Sequence, residues 1–508
     1  MTVSPLFFRA DASVAMGTGH VMRCIALAQA WQDAGGRAIF VMAESTPALA
    51  ARLRAESCEV FSLAAVAPVG SAEESARVAA LAREHKAEWV VVDGYQFGED
   101  YQRALKSAGL KVLFMDDYGH GGRYSSDLVV NANVCAEEAL YQNREPYTRL
   151  LLGPRYCMLR REFNAWRQWQ REVPSVAHKA LVTMGGSDPE NVTGRVIEAL
   201  GMGGVGDLET MVVVGGSNPH FEALDQTAVR AGGKITIQRD TAQMAQLMAD
   251  ADVAISAAGS TCWELCLLGL PSLLVDVAAN QTALARELHR RGCAIHLGSS
   301  RDVSAGKIAE ELAKMIRSRE VRQSLSSASR ALVDGNGARR VVSSVGAGTS
   351  VFLRRATAHD SRLLWEWAND AAVRAASFST SPIPWETHEA WFAEKLSQEK
   401  CLILIAEDEK GSAVGQIRFD RRPEGDCEVD VSIAPVKRGK GLAAVVIRNG
   451  ARRVLSEGRC VRIHAFVKAE NRASRRAFEA AGFINLGEDD VKGHRAIHYV
   501  CAREQSPL

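Results

Sequence analysis

Residues 6–23 read LFFRADASVAMGTGHVMR, and the fold of the first 340 residues follows from this stretch. Leu6–Ala10 is an apolar, aromatic run of the kind found in strands buried on both faces. A turn containing Gly17 and Gly19 follows, and His20 opens a helical pattern that runs to about Trp31. Strand, glycine turn and helix make the first half of a βα unit. The glycines let the backbone come close to a ligand. The helix start presents free N–H groups and a partial positive charge suited to phosphate or a developing anion. That charge disfavours a proton on an imidazole, so His20 is expected to be neutral near pH 7 and able to accept a proton. A dinucleotide fingerprint needs a third glycine where Met22 stands, and an acidic residue closing the second strand, where Glu44 is the one candidate. The stretch therefore argues against a nicotinamide site.

The same alternation continues outward. Strands are predicted at Arg37–Met42, Glu88–Val92, Lys111–Met115 and Asp127–Asn131. A second series follows at Ala180–Met184, Glu209–Val214, Lys234–Gln238, Asp252–Ser256 and Ser272–Val277. Repeated βα units imply two parallel sheets with helices on both faces. Gly153–Trp169 reads as helical and joins the series, and Val173-Pro174-Ser175 marks the boundary between a half at 1–172 and a half at 173–340. Two such halves meeting at a cleft suit a nucleotide-linked substrate.

The second half has its own glycine turns at strand ends: Gly185-Gly186-Ser187-Asp188-Pro189, Gly215-Gly216-Ser217 and Ala258-Gly259-Ser260-Thr261. Ser260 and Thr261, with backbone N–H groups at the helix they open, are candidates to hold a diphosphate without a metal. Glu264 either accepts both hydroxyls of a ribose or offsets the helix dipole. Asn280 and Gln281 either reach a sugar or base edge or, for Asn280, cap the next helix.

Composition narrows the partners. Apolar residues make up 47% and charged residues 24% of the 508-residue chain, as in globular proteins generally. Lys+Arg 61 against Asp+Glu 60 leaves a net charge of +1, so no chain-wide field favours nucleic acid or an acidic membrane. No apolar stretch approaches the roughly 20 residues of a spanning helix. Eleven scattered cysteines without CxxC pairs, and no export signal, point to reduced thiols and a cytoplasmic protein without a metal site.

The pattern changes after Arg340. Val341–Ser350 is small and polar and reads as a linker, with a separate α+β domain at 351–508. After Val351–Arg355 come helices bearing Trp365, Trp385 and Trp391, which either line a sugar site or belong to the core. Strands Cys401–Glu407, Ala413–Asp420 and Cys427–Ile433 form a meander, followed by Val436-Lys437-Arg438-Gly439-Lys440-Gly441-Leu442-Ala443 at a helix start. A basic glycine turn there can wrap a pyrophosphate. Asn471-Arg-Ala-Ser474 opens a later helix that reaches Phe478.

Two resemblances rest on these motifs. Residues 4–335, through RADAS…GTGHVMRC, DGY at Asp93–Tyr95, Asp116-Asp117, GPRY-x-x-LRREF at Gly153–Phe163, GGSDP and SAAGSTCWELCLLGLP, resemble the PseG-type UDP-sugar hydrolases of pseudaminic acid biosynthesis. These are relatives of MurG with its GT-B fold. The resemblance implies hydrolysis of UDP-2,4-diacetamido-2,4,6-trideoxy-β-L-altrose, with His20 as catalytic base and Glu264 and Asn280 in the nucleotide-sugar site. The cleft then takes in Gly17, Gly19, Tyr95, Gly186, Ser187, Ser260, Thr261 and Gln281. Residues 351–503 resemble the GNAT N-acetyltransferases, and the implied co-substrate is acetyl-CoA. It would be held by Ile433, Arg438, Gly439, Lys440, Gly441, Leu442, Ala443 and Asn471. Val436 replaces the usual Gln or Arg of the loop. Phe478 stands where the family often has an acid-donating Tyr, and Glu428 and Asp430 are candidate bases. A glycosyltransferase, or a nucleotide-sugar binding protein with a degenerate GNAT domain, is the alternative reading.

Overall fold

The computed structural model describes residues 4–12, 18–63, 67–203, 205, 208–232, 234–346 and 351–502. Gly17, one of the expected site residues, lies outside them. The chain divides into two compact units, one holding 4–29 and 38–341, the other 342–508 together with 30–37.

In the first unit, seven strands form a parallel sheet: β1 (Leu6–Ala10), β2 (Ala38–Met42), β3 (Glu59–Ser62), β4 (Trp89–Asp93), β5 (Lys111–Met115), β6 (Leu128–Asn131) and β7 (Arg149–Leu152), in the order β3-β2-β1-β4-β5-β6-β7. Six more form a second parallel sheet: β8 (Lys179–Thr183), β9 (Glu209–Val214), β10 (Ile235–Arg239), β11 (Val253–Ala257), β12 (Ser272–Asp276) and β13 (Ile295–Ser299), in the order β10-β9-β8-β11-β12-β13. Both are doubly wound. The chain order reverses between β1 and β4, and again between β8 and β11, and ligands of such sheets bind outside the strand ends at that reversal. This is a GT-B-like pair of Rossmann-type halves. The central strands are apolar because helices cover both faces; every residue of β1, β2, β11 and β12 is buried.

In the second unit the strands are β14 (Phe352–Arg355), β15 (Cys401–Glu407), β16 (Ala413–Arg421), β17 (Cys427–Ile433), β18 (Arg462–Lys468), β19 (Ile484–Val491) and β20 (His494–Ala502). Their order is β14-β15-β16-β17-β18-β20-β19, antiparallel throughout except for β17 with β18. One sheet face packs on helices Leu442–Ser456 and Arg472–Ala480 through Ile417, Phe419, Val429, Ile463, Ala465 and Tyr499. On the other face, helices Ser361–Ala368 and Trp385–Ser397 cover β15 through Leu364, Trp367 and Phe392. This is the GNAT arrangement.

Two expectations need correction. Gly153–Trp169 is not one helix: it holds two short 3-10 turns, Pro154–Tyr156 and Arg161–Trp166. Gly153 at φ +92° and Pro154 break the start, and buried Cys157, Leu159 and Phe163 do not share one helical face. The expected linker begins as helix, since Gly337–Val345 runs into it. Val341, Val342 and Val345 are buried at helical spacing, with the half-buried Ser343 and Ser344 between them.

Candidate active site

His20 lies in the first turn of the helix Gly19–Asp33, just past β1, and Asp93 ends the neighbouring strand β4. The β1–β4 reversal therefore brings them together. His20 Nδ1 and Asp93 Oδ1 are 2.7 Å apart. Arg23, one turn along from His20, donates to both Asp93 oxygens at 2.6 and 2.7 Å and to Asp117 Oδ1 at 2.6 Å. Asp93 is fully buried. Burial works against its charge, but Arg23 and His20 outweigh it and hold the carboxyl well below the usual carboxylate range. Two groups face His20 Nδ1, the Asp93 carboxylate at 2.7 Å and Arg23 Nη2 at 3.3 Å; an ionised Asp93 only accepts and is the nearer, so the neutral ring carries its proton on Nδ1 and keeps a lone pair on Nε2. A histidine base with an orienting carboxylate behind it is the arrangement found in catalytic histidines.

Tyr95 covers this pair edge-on, its ring centroid 4.8 Å from that of His20. Its hydroxyl donates to Asp117 Oδ2 at 2.9 Å and accepts from Asn280 Nδ2 at 3.1 Å. Burial, with Asp117 next, pushes its phenol above the ordinary range, so Tyr95 stays protonated. Asn280 comes from the other half and thus reaches the His20 site. The β8 turn is close as well: a Cβ on Gly186 would lie 3.6 Å from Thr18 Oγ1. Among the described residues, no atom lies within 4 Å of where a Gly19 Cβ would be; Ser187 and Thr261 are half-buried, and Ser260 is exposed at the helix Thr261–Leu268, which starts without a side-chain cap.

Two expected residues, Glu264 and Gln281, already hold partners within the protein, as does Asp188 beside the expected Ser187. Glu264 Oε1 accepts from Arg160 at 2.8 Å, and Arg160 also meets Glu162 at 3.0 Å. Gln281 gives its Oε1 to the backbone N–H of Val277 at 3.0 Å, so it braces the end of β12. Asp188 of the GGSDP turn caps its own helix through the N–H groups of Val192 and Thr193. Asp93, Arg23, Asp117 and Arg160 were given no role from sequence. An acid closing an otherwise apolar strand, and an Arg three residues after His20 on the same helix face, were the available signals.

In the second unit, β17 and β18 pair only at Cys427↔Ile463 and Glu428↔His464, although they extend to Ile433 and Lys468. The strands part beyond that point and leave a wedge. At its mouth Gly439 and Gly441 take φ of +76° and +72°, and the helix Leu442–Ser456 begins with no side-chain cap. Lys440 and Leu442 flank Gly441 there, with Ala443 half-buried. The Arg438 side chain turns back, donating to Ile433 O at 3.1 Å and pairing with Asp370 at 2.8 Å, so only its backbone serves the turn. Asn471 caps its helix by accepting from Ser474 N at 3.1 Å. Glu428 and Asp430 take hydrogen bonds from Arg422 at 2.6 Å and Gln416 at 2.9 Å. Phe478 is core, packed on Phe483 and Tyr499. Trp365, Trp385 and Trp391 are half-buried; Arg362 sits over the first two and Arg418 over the third.

A doubly wound pair with turns converging at both reversals, joined to a wedge-bearing acetyltransferase fold, defines a nucleotide-sugar enzyme of two parts. Residues 182–342 match the glycosyltransferase family 28 C-terminal domain, and residues 350–484 match the acetyltransferase (GNAT) domain. The spore coat polysaccharide biosynthesis protein SpsG of Bacillus subtilis is 31% identical over 231 residues, 45% of this chain and 67% of that protein. The chain belongs to the SpsG family, with a GNAT domain at its C-terminus. The UDP-2,4-diacetamido-2,4,6-trideoxy-beta-L-altropyranose hydrolase of Campylobacter jejuni is 25% identical over 289 residues, 56% of this chain and 97% of that one. An uncharacterised protein of Methanocaldococcus jannaschii, MJ1062, is 23% identical over 448 residues, 83% of this chain and 85% of that one.

Proposed function

We propose that the chain is a two-activity enzyme: a UDP-sugar hydrolase centred on His20, and an acetyl-CoA-dependent N-acetyltransferase centred on the β17–β18 wedge. The observation that carries the first is the buried Asp93 holding His20 Nδ1 at 2.7 Å. His20 Nε2 takes a proton from water as the oxygen attacks the anomeric carbon, and UDP departs. Ser260, Thr261 and the uncapped helix start behind them stabilise the departing diphosphate. Tyr95 and Asn280 position the sugar, and Glu264 the ribose. The similarity to the Campylobacter jejuni hydrolase supports UDP-2,4-diacetamido-2,4,6-trideoxy-β-L-altrose as substrate. In the second activity the backbone from Arg438 to Ala443 holds the coenzyme diphosphate and a 4-amino UDP-sugar is acetylated before the hydrolase removes UDP, a sequence that fits pseudaminic acid biosynthesis.

The glycosyltransferase family 28 match favours a second reading, in which the same donor site serves an acceptor hydroxyl. The test is UDP release from the diacetamido UDP-sugar in ¹⁸O-water. Hydrolysis puts ¹⁸O in the free sugar, and His20→Ala lowers turnover by about 10²–10⁴-fold while UDP binding stays within a few-fold. Release that requires an added alcohol acceptor, or a His20→Ala variant above a tenth of wild-type turnover, overturns the reading.

A further inference from the structure

The sheet face opposite the Leu442–Ser456 helix carries a histidine pair at the point where β17 and β18 part. Ile463, Ala465 and Val467 face the helix, so His464 and Phe466 face the other way; on β20, Ile497 and Tyr499 do the same and leave His498 beside them. His464 belongs to the last paired position before the wedge opens. Asp426, just ahead of β17, is buried and lies 3.2 Å from His464 Nε2. His464 Nδ1 lies 2.9 Å from His498 Nε2. His498 stacks on Phe466 at 4.5 Å, with Arg422 over the other ring and bonded to Glu428.

Proton bookkeeping gives this row a direction. Asp426 also accepts from Arg462 N and Nε at 3.2 and 3.0 Å; burial opposes its charge, but His464 and Arg462 hold the carboxyl below its ordinary range, so it is an acceptor only. A neutral His464 then carries its proton on Nε2 and presents a lone pair at Nδ1. His498 must donate to that lone pair from Nε2. Its own Nδ1 is left as a lone pair, with no hydrogen-bond partner among the described residues.

We propose that Asp426, His464 and His498 form a proton relay in which His498 Nδ1 is the base of the acetyl transfer. The inference rests on the acetyltransferase reading above and places the base on His498 in preference to the candidates Glu428 and Asp430, whose carboxylates take hydrogen bonds from Arg422 and Gln416. The acceptor is a primary ammonium, drawn by Glu428 and Asp430 on the same face. His498 Nδ1 removes one proton from it, and His464 and Asp426 stabilise the resulting imidazolium. The free amine attacks the thioester carbonyl carbon and the C–N bond forms. The C–S bond breaks with its electron pair on sulfur, which takes the second amine proton through water and leaves as coenzyme A thiol. His498 returns its proton to solvent. His498 is the catalytic residue; His464 and Asp426 are positioning residues.

The experiment uses the full chain, acetyl-CoA and a 4-amino-4,6-dideoxy UDP-sugar, with thiol release as readout, and ¹⁵N imidazole spectra of the free protein. The spectra should show both histidines protonated at Nε2 and unprotonated at Nδ1, and Asp426→Asn should move the His464 proton to Nδ1. His498→Gln should keep coenzyme A binding by calorimetry and lose roughly 10²-fold or more in kcat. The acid limb of the wild-type rate profile should go with it. That limb belongs to His498 as it faces His464, Arg422, Glu428 and Asp489; burial, then His464, sets it below the ordinary histidine range. A proton on His498 Nδ1, or a His498→Gln variant with an unchanged profile and more than a third of wild-type kcat, overturns the relay alone. A wild-type chain inert toward the amino UDP-sugar overturns the acceptor reading and the relay's purpose with it.

Discussion

Asp93→Asn isolates what the orienting acid does. Asp93 accepts three short hydrogen bonds, from His20 Nδ1 at 2.7 Å, Arg23 Nε at 2.6 Å and Arg23 Nη2 at 2.7 Å. An amide of the same shape has one oxygen and one NH₂. With the amide oxygen at the Oδ1 place, the bonds from His20 Nδ1 and Arg23 Nη2 survive and the NH₂ faces Arg23 Nε; with it at the Oδ2 place, only the Arg23 Nε bond survives and the NH₂ faces both His20 Nδ1 and Arg23 Nη2. The first arrangement keeps more bonds and the His20 tautomer; the second moves the proton to Nε2, the nitrogen that must take one from water. In both, the negative charge that stabilises a protonated His20 is gone. The same change in a serine-protease triad costs about 10⁴-fold in turnover, and a loss of about 10²–10⁴-fold is expected here.

The same substitution has a cost in stability. A buried charge stripped of its partner costs about 3–5 kcal/mol. Arg23 keeps Asp117 at 2.6 Å, so roughly half of that, about 2 kcal/mol, is expected. A unit of this size should lose about 3 °C in Tm. UDP release, thermal unfolding and the His20 ¹⁵N spectrum measure the three effects. The spectrum tells which amide arrangement is taken, and turnover within tenfold of wild type in the folded variant refutes the pairing of Asp93 with His20 as the catalytic base.

Glu264→Gln should leave the fold intact, because Arg160 keeps Glu162, and raise KM for the UDP-sugar by about tenfold with a smaller change in kcat, the value of one lost charged hydrogen bond; an unchanged KM moves the ribose elsewhere. Gly441→Ala places a side chain at φ +72°, at a cost of about 1–2 kcal/mol, and should raise KM for acetyl-CoA while leaving UDP release alone; unaltered acetyl-CoA kinetics remove the turn from the coenzyme site. Asp116 is held down to about 2: burial opposes its charge, and His120, the Tyr124 hydroxyl at 2.6 Å and the Gly119 N–H outweigh it. A carboxyl depressed on folding stabilises above its unfolded value and loses that contribution as pH falls through the folded one. About 2–3 kcal/mol should therefore disappear between about pH 4 and pH 2, and Asp116→Asn should flatten Tm across that window.

The strands read most cleanly from sequence are those the fold buries on both faces. β1, β5, β9 and β15 fall where the apolar runs place them, and β17 falls where its alternation does, with Cys427 and Val429 buried and Glu428 and Asp430 exposed. The strands that escaped, β3, β7 and β13, are all sheet edges. Few of their residues are buried, EVFS being exposed or half-buried throughout and IHLGS half-buried apart from Leu297, because only one side of each is paired. The site divides along the same line. A glycine turn at a helix start is local, so His20, Ser260 and Gly441 were legible. A partner supplied by a neighbouring strand is not. Asp93 meets His20 across 73 residues, and Arg160 meets Glu264 across 104.

Local motifs also overstate what a side chain is free to do. Gln281 and Asn471 sit where amides were wanted for ligands, yet both spend an oxygen on nearby backbone N–H groups. The helix and strand ends that create a binding site are also where backbone groups lack partners, so the polar residues placed there serve two claims at once. Asn280 escapes this conflict because its Nδ2 bonds a side chain of the other half. His498 escapes it too: its Nε2 bond is to another imidazole, which fixes the tautomer and leaves Nδ1 for a substrate. Asp93 and Asp426 do the same thing at their respective sites. Each is a buried carboxylate pinned by an arginine, and each decides which nitrogen of a histidine keeps its lone pair. The functional atom is in both cases chosen by a residue far away in sequence or on a different strand, which is why a motif names the histidine and only the fold names the nitrogen.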